Sequence, residues 1–270
     1  MPAINTNISS LRTQAALSQN DRALQNAMQQ LSTGKRINSA GDDAAGLAIA
    51  SSMGAQIKSL NQEVRNANDG ISLLQTAEGA TSTITTILQR MRELAIQAQN
   101  NTYQDSDRTS MQTEVTALMS EIGRIASATK WNNMSVLDGS FTSKQVLIGD
   151  TSTVDISGTN MSTSTGLSLS GLSVSSVTGA ASALTSIDTA LGTVSTARAT
   201  MGATINRLQY TVDNLTNIST NLSASKSRIE DTDYSQATAE LAKRQVIQQA
   251  ATAMLAQANQ QPQTILSLLK

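Results

Sequence analysis

Apolar residues recur at alternating steps of three and four through the carboxyl half of this chain: Leu184, Ile187, Leu191, Val194, Met201, Ile205, Leu208, Val212, Leu215 and Leu222, with Arg198 and Ser219 breaking the series. This is the rhythm of a helix whose seam must be covered by another helix. At about 1.5 Å per residue it predicts a rod of roughly 57 Å. The amino half carries an answering series, Ile57, Leu60, Val64, Ala67, Ile71 and Leu74, then Ile84, Leu88, Met91, Ala95 and Ala98 after a phase shift. A third run, Met111, Val115, Leu118, Ile122 and Ile125, predicts a further helix, with Asp105 or Ser106 as its cap. Burying one Leu, Ile or Val side chain contributes about 1.5–3 kcal/mol, so these seams must pair. Two rods of similar length predict a mainly α fold, a long antiparallel bundle in which the chain runs out, turns and returns.

The turn-around region has a different texture. Between Gly139 and Ala190 only Lys144, Asp150, Asp155 and Asp188 are charged, and Ser, Thr and Gly dominate. Period-two pairs replace the heptad: Val146 with Ile148, Val154 with Ile156, and Leu167 with Leu169 read as short strands with turn signals at Gly149-Asp150 and Ser157-Gly158. A small β-hairpin region over about 139–180 follows, against the competing reading of an unstructured Ser/Thr linker.

Both chain ends carry weaker stripes. Ile4, Ile8, Leu11, Leu24 and Leu31 lie at one terminus, and Leu241, Ile247, Met254, Leu255, Ile265 and Leu268 at the other. Many alanines surround them, so one such helix pair offers little area, and we expect these ends to gain order by packing against other copies. The glutamines among them, Gln248, Gln249, Gln257, Gln260 and Gln261, would suit a polar channel lining.

Composition narrows the chemistry. There is no histidine and no cysteine, which removes the commonest general base, the commonest metal ligand and thiolate chemistry. Asp42 and Asp43 read as caps and surface charges rather than a metal pair, and Ser32 with Lys35 or Ser223 with Lys226 match a serine–lysine spacing without its accompanying motifs. We expect no enzyme, no cofactor and no metal. Nineteen basic against twenty acidic residues, interspersed, give a formal charge of -1 and no electrostatic reason to bind nucleic acid or a membrane surface. The amino terminus, MPAINTNISSLRTQ, lacks the charged and apolar regions of a cleavable signal.

Several long segments resemble bacterial flagellin at once: LSTGKRINSAGDDAAGLAIA at 31–50, RNANDGISLLQTAEGA at 65–80, LQRMRELAIQAQN at 88–100, and the whole of 227–270. The resemblance spans roughly 1–140 and 180–270. It implies a filament subunit for motility, with an inner core domain from 1–44 and 226–270 and an outer core domain from 45–225, and without the variable domains that many relatives carry between the conserved halves. It further implies a homo-polymer in the bacterial flagellum, export through the flagellar secretion channel, and an export chaperone, cap and hook-junction proteins as partners. The face bearing Gln89, Arg90, Glu93, Leu94 and Gln97, with Glu114 from the next helix, resembles the surface that the flagellin-sensing Toll-like receptor of animals recognises; the other use of such a face is subunit contact. The alternative readings are a hook–filament junction protein or an intracellular coiled-coil scaffold.

Overall fold

The computed structural model describes residues 6–141, 143–149 and 152–268, the side chains of 261–268 excepted. Ile4 and the side chains of Gln261, Ile265 and Leu268 therefore lie outside the described residues, as does Asp150. Five helices and four short strands follow in order: α1 (Ile8–Thr33), α2 (Ala44–Gln99), α3 (Asp105–Ala128), β1 (Lys130–Trp131), β2 (Met134–Ser135), β3 (Lys144–Leu147), β4 (Thr153–Ile156), α4 (Val177–Glu230) and α5 (Tyr234–Leu268). The chain divides into two compact units, Met1–Ile57 with Thr220–Lys270, and Lys58–Ser219, and the division falls inside α2 and α4.

Local chemistry sets the helix ends. The Asn7 side chain accepts from the Ser10 N–H at 3.1 Å to start α1, and Gly34 ends it at φ +72°, a conformation that suits glycine. Asp43 caps α2 by accepting from the Gly46 N–H at 2.9 Å. Asp42 folds the preceding turn, accepting from the N–H groups of Asn38 and Ser39. Those bonds favour the ionised form and lower its pKa. The α2 helix continues through the phase shift between Leu74 and Ile84 without a break. At its far end the buried Arg108 guanidinium donates to the carbonyls of Ala98 and Asn100 at 2.9 and 3.1 Å, pairing acceptors that the helix leaves free. The cap of α3 differs from the predicted one. Asp107, not Asp105 or Ser106, reaches back to the Gln104 N–H at 3.0 Å, while Asp105 holds Arg108.

The larger unit contains one continuous core from α2, α3, α4 and the middle segment. The heptad of α4 splits into two rows: Ile187, Val194, Met201, Leu208 and Leu215 are buried, whereas Leu184, Leu191, Ile205 and Val212 are half-buried. Side-chain pairs between α2 and α4 run in opposite directions along the two helices: Arg92 with Asp188, Glu78 with Arg198, and Asn61 with Ser219. Both polar breaks in the seam thus meet polar partners, and the helices are antiparallel.

Strands β3 and β4 form the expected hairpin, with Val146 opposite Val154 and Lys144 opposite Ile156. A second hairpin, β1–β2, was not predicted; it turns through Asn132 and Asn133 at φ 45° and 63°, the left-handed pair that a tight two-residue turn requires. Leu167 and Leu169 are not a strand. They are buried in an irregular loop, tied by N–H bonds to the carbonyls of Ser162 and Thr163, because Ser168 between them takes φ 52° and breaks the extended course. Gly158 and Gly166 mark how closely that loop packs, since a Cβ there would sit 2.0 and 2.1 Å from the carbonyl oxygens of Phe141 and Asn160.

In the smaller unit α1 and α5 pair antiparallel. Its buried residues are mostly small or polar: Asn20, Ala27, Ile37, Ala50, Glu230, Ala237 and Ala258.

Candidate assembly and recognition surfaces

The large apolar side chains predicted for the terminal stripes do not share one face. Ile8, Leu11, Ile247 and Met254 are 53%, 56%, 38% and 63% exposed, and Met28 of the same amino-terminal stripe joins them, as does Val246, which sequence reasoning did not single out. Leu24, Leu31, Leu241 and Leu255 are half-buried in the α1–α5 pair. The seam of that pair is stitched by polar groups instead. Asn7 Nδ2 donates to the Ala258 carbonyl at 2.7 Å, Ser10 Oγ to Asn259 at 2.8 Å, and Asn20 Nδ2 to the Arg244 carbonyl at 3.0 Å. These residues were missed because they interrupt an apolar pattern and so carry no periodic signal. Gln248 belongs to the seam too, donating to Asp21 at 3.1 Å, whereas Gln249, Gln257 and Gln260 are exposed.

A joint closes the near end of this pair. The Arg36 N–H donates to the Glu230 carbonyl at 2.7 Å and the Thr232 N–H to the Gly34 carbonyl at 3.0 Å, so the links after α1 and α4 run side by side. The Glu230 carboxylate, nearly buried, takes Lys35 at 2.5 Å and Lys226 at 3.3 Å. The hydrogen bond from Lys35 is the largest influence holding its pKa below the ordinary carboxylate value, and that of Lys35 is raised in return. The two lysines of the serine–lysine spacings therefore meet in an ion-pair cluster.

On α2 of the larger unit, Gln89, Arg90, Glu93 and Gln97 are exposed on one side. Arg90 is held by two carboxylates, with Nε and Nη2 2.9 Å from Glu114 Oε1 on α3, and Nη1 3.1 Å from Glu93. The bonds it donates to Glu114 first, then to Glu93, raise its pKa. Gln97 donates to the Tyr103 hydroxyl at 3.1 Å. Leu94, grouped with this face from its spacing, points inward and is 2% exposed. The stripe of α2 is wider than a single seam because α3 and α4 both cover it, as the Arg90–Glu114 and Arg92–Asp188 pairs show.

Among the described residues no three carboxylates gather as a metal site, and no helix is long and apolar enough to cross a membrane. What these surfaces offer is apolar area, an ion-pair lattice and hydrogen-bonding groups suited to other protein chains.

Comparison with known proteins points the same way. Residues 4–142 match the family model for the bacterial flagellin N-terminal helical region, and residues 184–269 that for the bacterial flagellin C-terminal helical region. A flagellin of Halalkalibacterium halodurans is 43% identical over 276 aligned residues, covering 99% of both chains. A flagellin of Bacillus subtilis is 40% identical at the same coverage, and the flagellar filament 33 kDa core protein of Treponema phagedenis is 39% identical. Among solved structures, Bacillus cereus flagellin is similar at a TM-score of 0.52 and 32% identity, over 60% of this chain and 94% of that one. A putative flagellar hook-associated protein from Vibrio parahaemolyticus shares the fold at a TM-score of 0.60 and 16% identity, over 70% of this chain and 100% of that one.

Proposed function

This chain belongs to the bacterial flagellin family and is a structural subunit of the flagellar filament, and from that premise we propose how its parts serve the polymer. The observation that carries the reading is the outward display of Ile8, Leu11, Met28, Val246, Ile247 and Met254 on α1 and α5. Large apolar side chains at this exposure leave much of their surface in water in a single molecule, and covering them with neighbouring copies removes it. Residues 1–44 and 226–270 form the inner layer of the filament and residues 45–225 the outer one. The exposed Gln249, Gln257 and Gln260 face the central channel, where a passing unfolded chain would adhere to an apolar wall. The middle segment, at about 139–180, is too short for an additional domain, so the filament is smooth and thin. The role is structural rather than catalytic; export passes through the flagellar secretion channel, with an export chaperone, cap and hook-junction proteins as partners.

Deleting the last 35 or so residues tests this. The truncated chain should keep the helical circular dichroism of the larger unit and fail to extend filament seeds in electron micrographs, whereas the full chain extends them. Seeded growth by the truncated chain defeats the reading.

The α2–α3 face supports a second role as a ligand of the animal Toll-like flagellin receptor. Arg90, paired with Glu93 and Glu114, is its anchor, with Gln89 and Gln97 on the same side; Leu94 contributes by supporting the helix from inside. Arg90→Asp should lower receptor signalling by purified monomer at least tenfold, since an interface arginine at the centre of a patch is worth about 2 kcal/mol or more. Undiminished signalling by that variant removes the assignment.

A further inference from the structure

A groove of about 640 Å³ runs between β4 and α4 in the larger unit. Its α4 wall carries Thr189, Thr193, Thr196, Thr200 and Thr204. Each of these hydroxyls donates to the carbonyl four residues earlier, at 2.9 to 3.1 Å. Their protons are committed, so that wall presents lone pairs and methyl groups. The other wall carries Asp155, exposed on β4 between the buried Val154 and Ile156. Among the described residues its carboxylate has no hydrogen-bond or ion-pair partner. The groove is thus rich in acceptors, with one uncompensated negative charge and apolar methyls beside it. It fits a group that donates several hydrogen bonds, carries positive charge and brings an apolar body.

The chain displays such a group nearby. Arg207 on α4 is exposed, and among the described residues its guanidinium has no partner. Tyr210, three residues on and hence on the same helix face, is 76% exposed. Arginine and tyrosine are the residue types that most often anchor interfaces. A filament that grows from one end needs two different patches on each subunit, complementary to one another, because a self-complementary patch closes into a dimer. We propose that the threonine groove of one subunit receives Arg207 and Tyr210 of a second copy, with the guanidinium on Asp155 and the ring across the threonine methyls. This rests on the filament-subunit reading and names a contact within it.

Charge reversal tests it in trans. Asp155→Arg alone sets arginine against arginine at every such contact, and Arg207→Asp alone sets aspartate against aspartate. Each should raise the critical concentration for seeded growth at least about tenfold while leaving the monomer's circular dichroism unchanged. An equimolar mixture alternates the two chains, every contact regains one charge of each sign, and growth should return to within about twofold of the unsubstituted protein. Either variant growing alone as readily as the parent, or a mixture no better than its components, overturns the proposal. If a reversal lowers helicity, the neutral pair Asp155→Asn and Arg207→Gln replaces it. Each single change should then weaken growth, and the double variant should be no weaker than either single one; additive losses overturn the contact. Failure of the parent chain to extend seeds would defeat the filament reading itself, which distinguishes the two.

Discussion

The two units bury different things. In the larger one, Ile84, Leu88, Met91, Ile122, Ile187 and Leu208 are fully covered, and the polar breaks in its seam find partners across it. In the smaller one the covered residues are Ile37 and otherwise largely alanines with an asparagine and a glutamate, while the larger apolar side chains of α1 and α5 are half-buried or exposed. Apolar area removed from water is the main favourable term in folding, so the first unit is stabilised from within, whereas on the function proposed above the second gains its cover from neighbours. On that proposal stability and assembly are separated along the chain, although both units draw on the same two long helices.

The sharpest way to break this contrast is to place the same charge in each unit. Ile187→Asp buries an unpaired carboxylate in the α2–α4 seam and should abolish the cooperative thermal transition. Met254→Asp, at a site already 63% exposed, should leave that transition within about 0.5 kcal/mol of the parent's stability and stop seeded growth. If Met254→Asp unfolds the monomer, or still polymerises, the division of labour is wrong. A smaller effect is expected at Arg108, 5% exposed beneath the end of α2. Arg108→Ala strands the Ala98 carbonyl, leaves that of Asn100 with the Tyr103 N–H alone, and should cost about 2 kcal/mol, read from a urea midpoint. An unmoved midpoint would mean that water replaces the guanidinium at no loss.

The smallest effect concerns acid and the joint of the smaller unit. The Glu230 carboxyl has a lowered pKa in the folded protein, chiefly through the hydrogen bond from Lys35. Its contribution is present above the unfolded carboxylate value, near 4.3, and is lost as pH falls through the lower folded value. Filaments of the parent should therefore shorten more steeply on acidification than those of Glu230→Gln, which lack this linkage. Equal pH profiles from light scattering would remove Glu230 as a contributor.

Much of the larger unit was legible in the sequence because a packed helix writes its burial as a period. The row from Leu184 to Leu222 is the α4 seam, and Arg198 and Ser219, breaks in that row, are the positions that meet Glu78 and Asn61. The period fails where a helix has two neighbours: Leu94 looked outward beside a single seam and is inside because α3 and α4 together cover a wider stripe. It fails equally for strands of two residues, too short to alternate, so β1–β2 was visible only in the turn dipeptide Asn132-Asn133. In the terminal pair the outward apolar residues dominated the pattern and hid the small polar seam behind them. That seam is legible only once the partner helix is in place, since a stitch such as Asn20 to the Arg244 carbonyl has no sequence period at all.

One consequence of the Glu78–Arg198 pair reaches beyond its own bonds. Two rods written in repeats of seven could close in many alignments, each offset by a repeat and each nearly as good as the next. This half-exposed ionic pair and the second one between the same rods, Arg92 with Asp188, meet together in one alignment, and an offset closure leaves their charges without partners. A chain collapsing from a fully extended state can then discard mismatched closures early, like a zip fastener whose pin enters only one box.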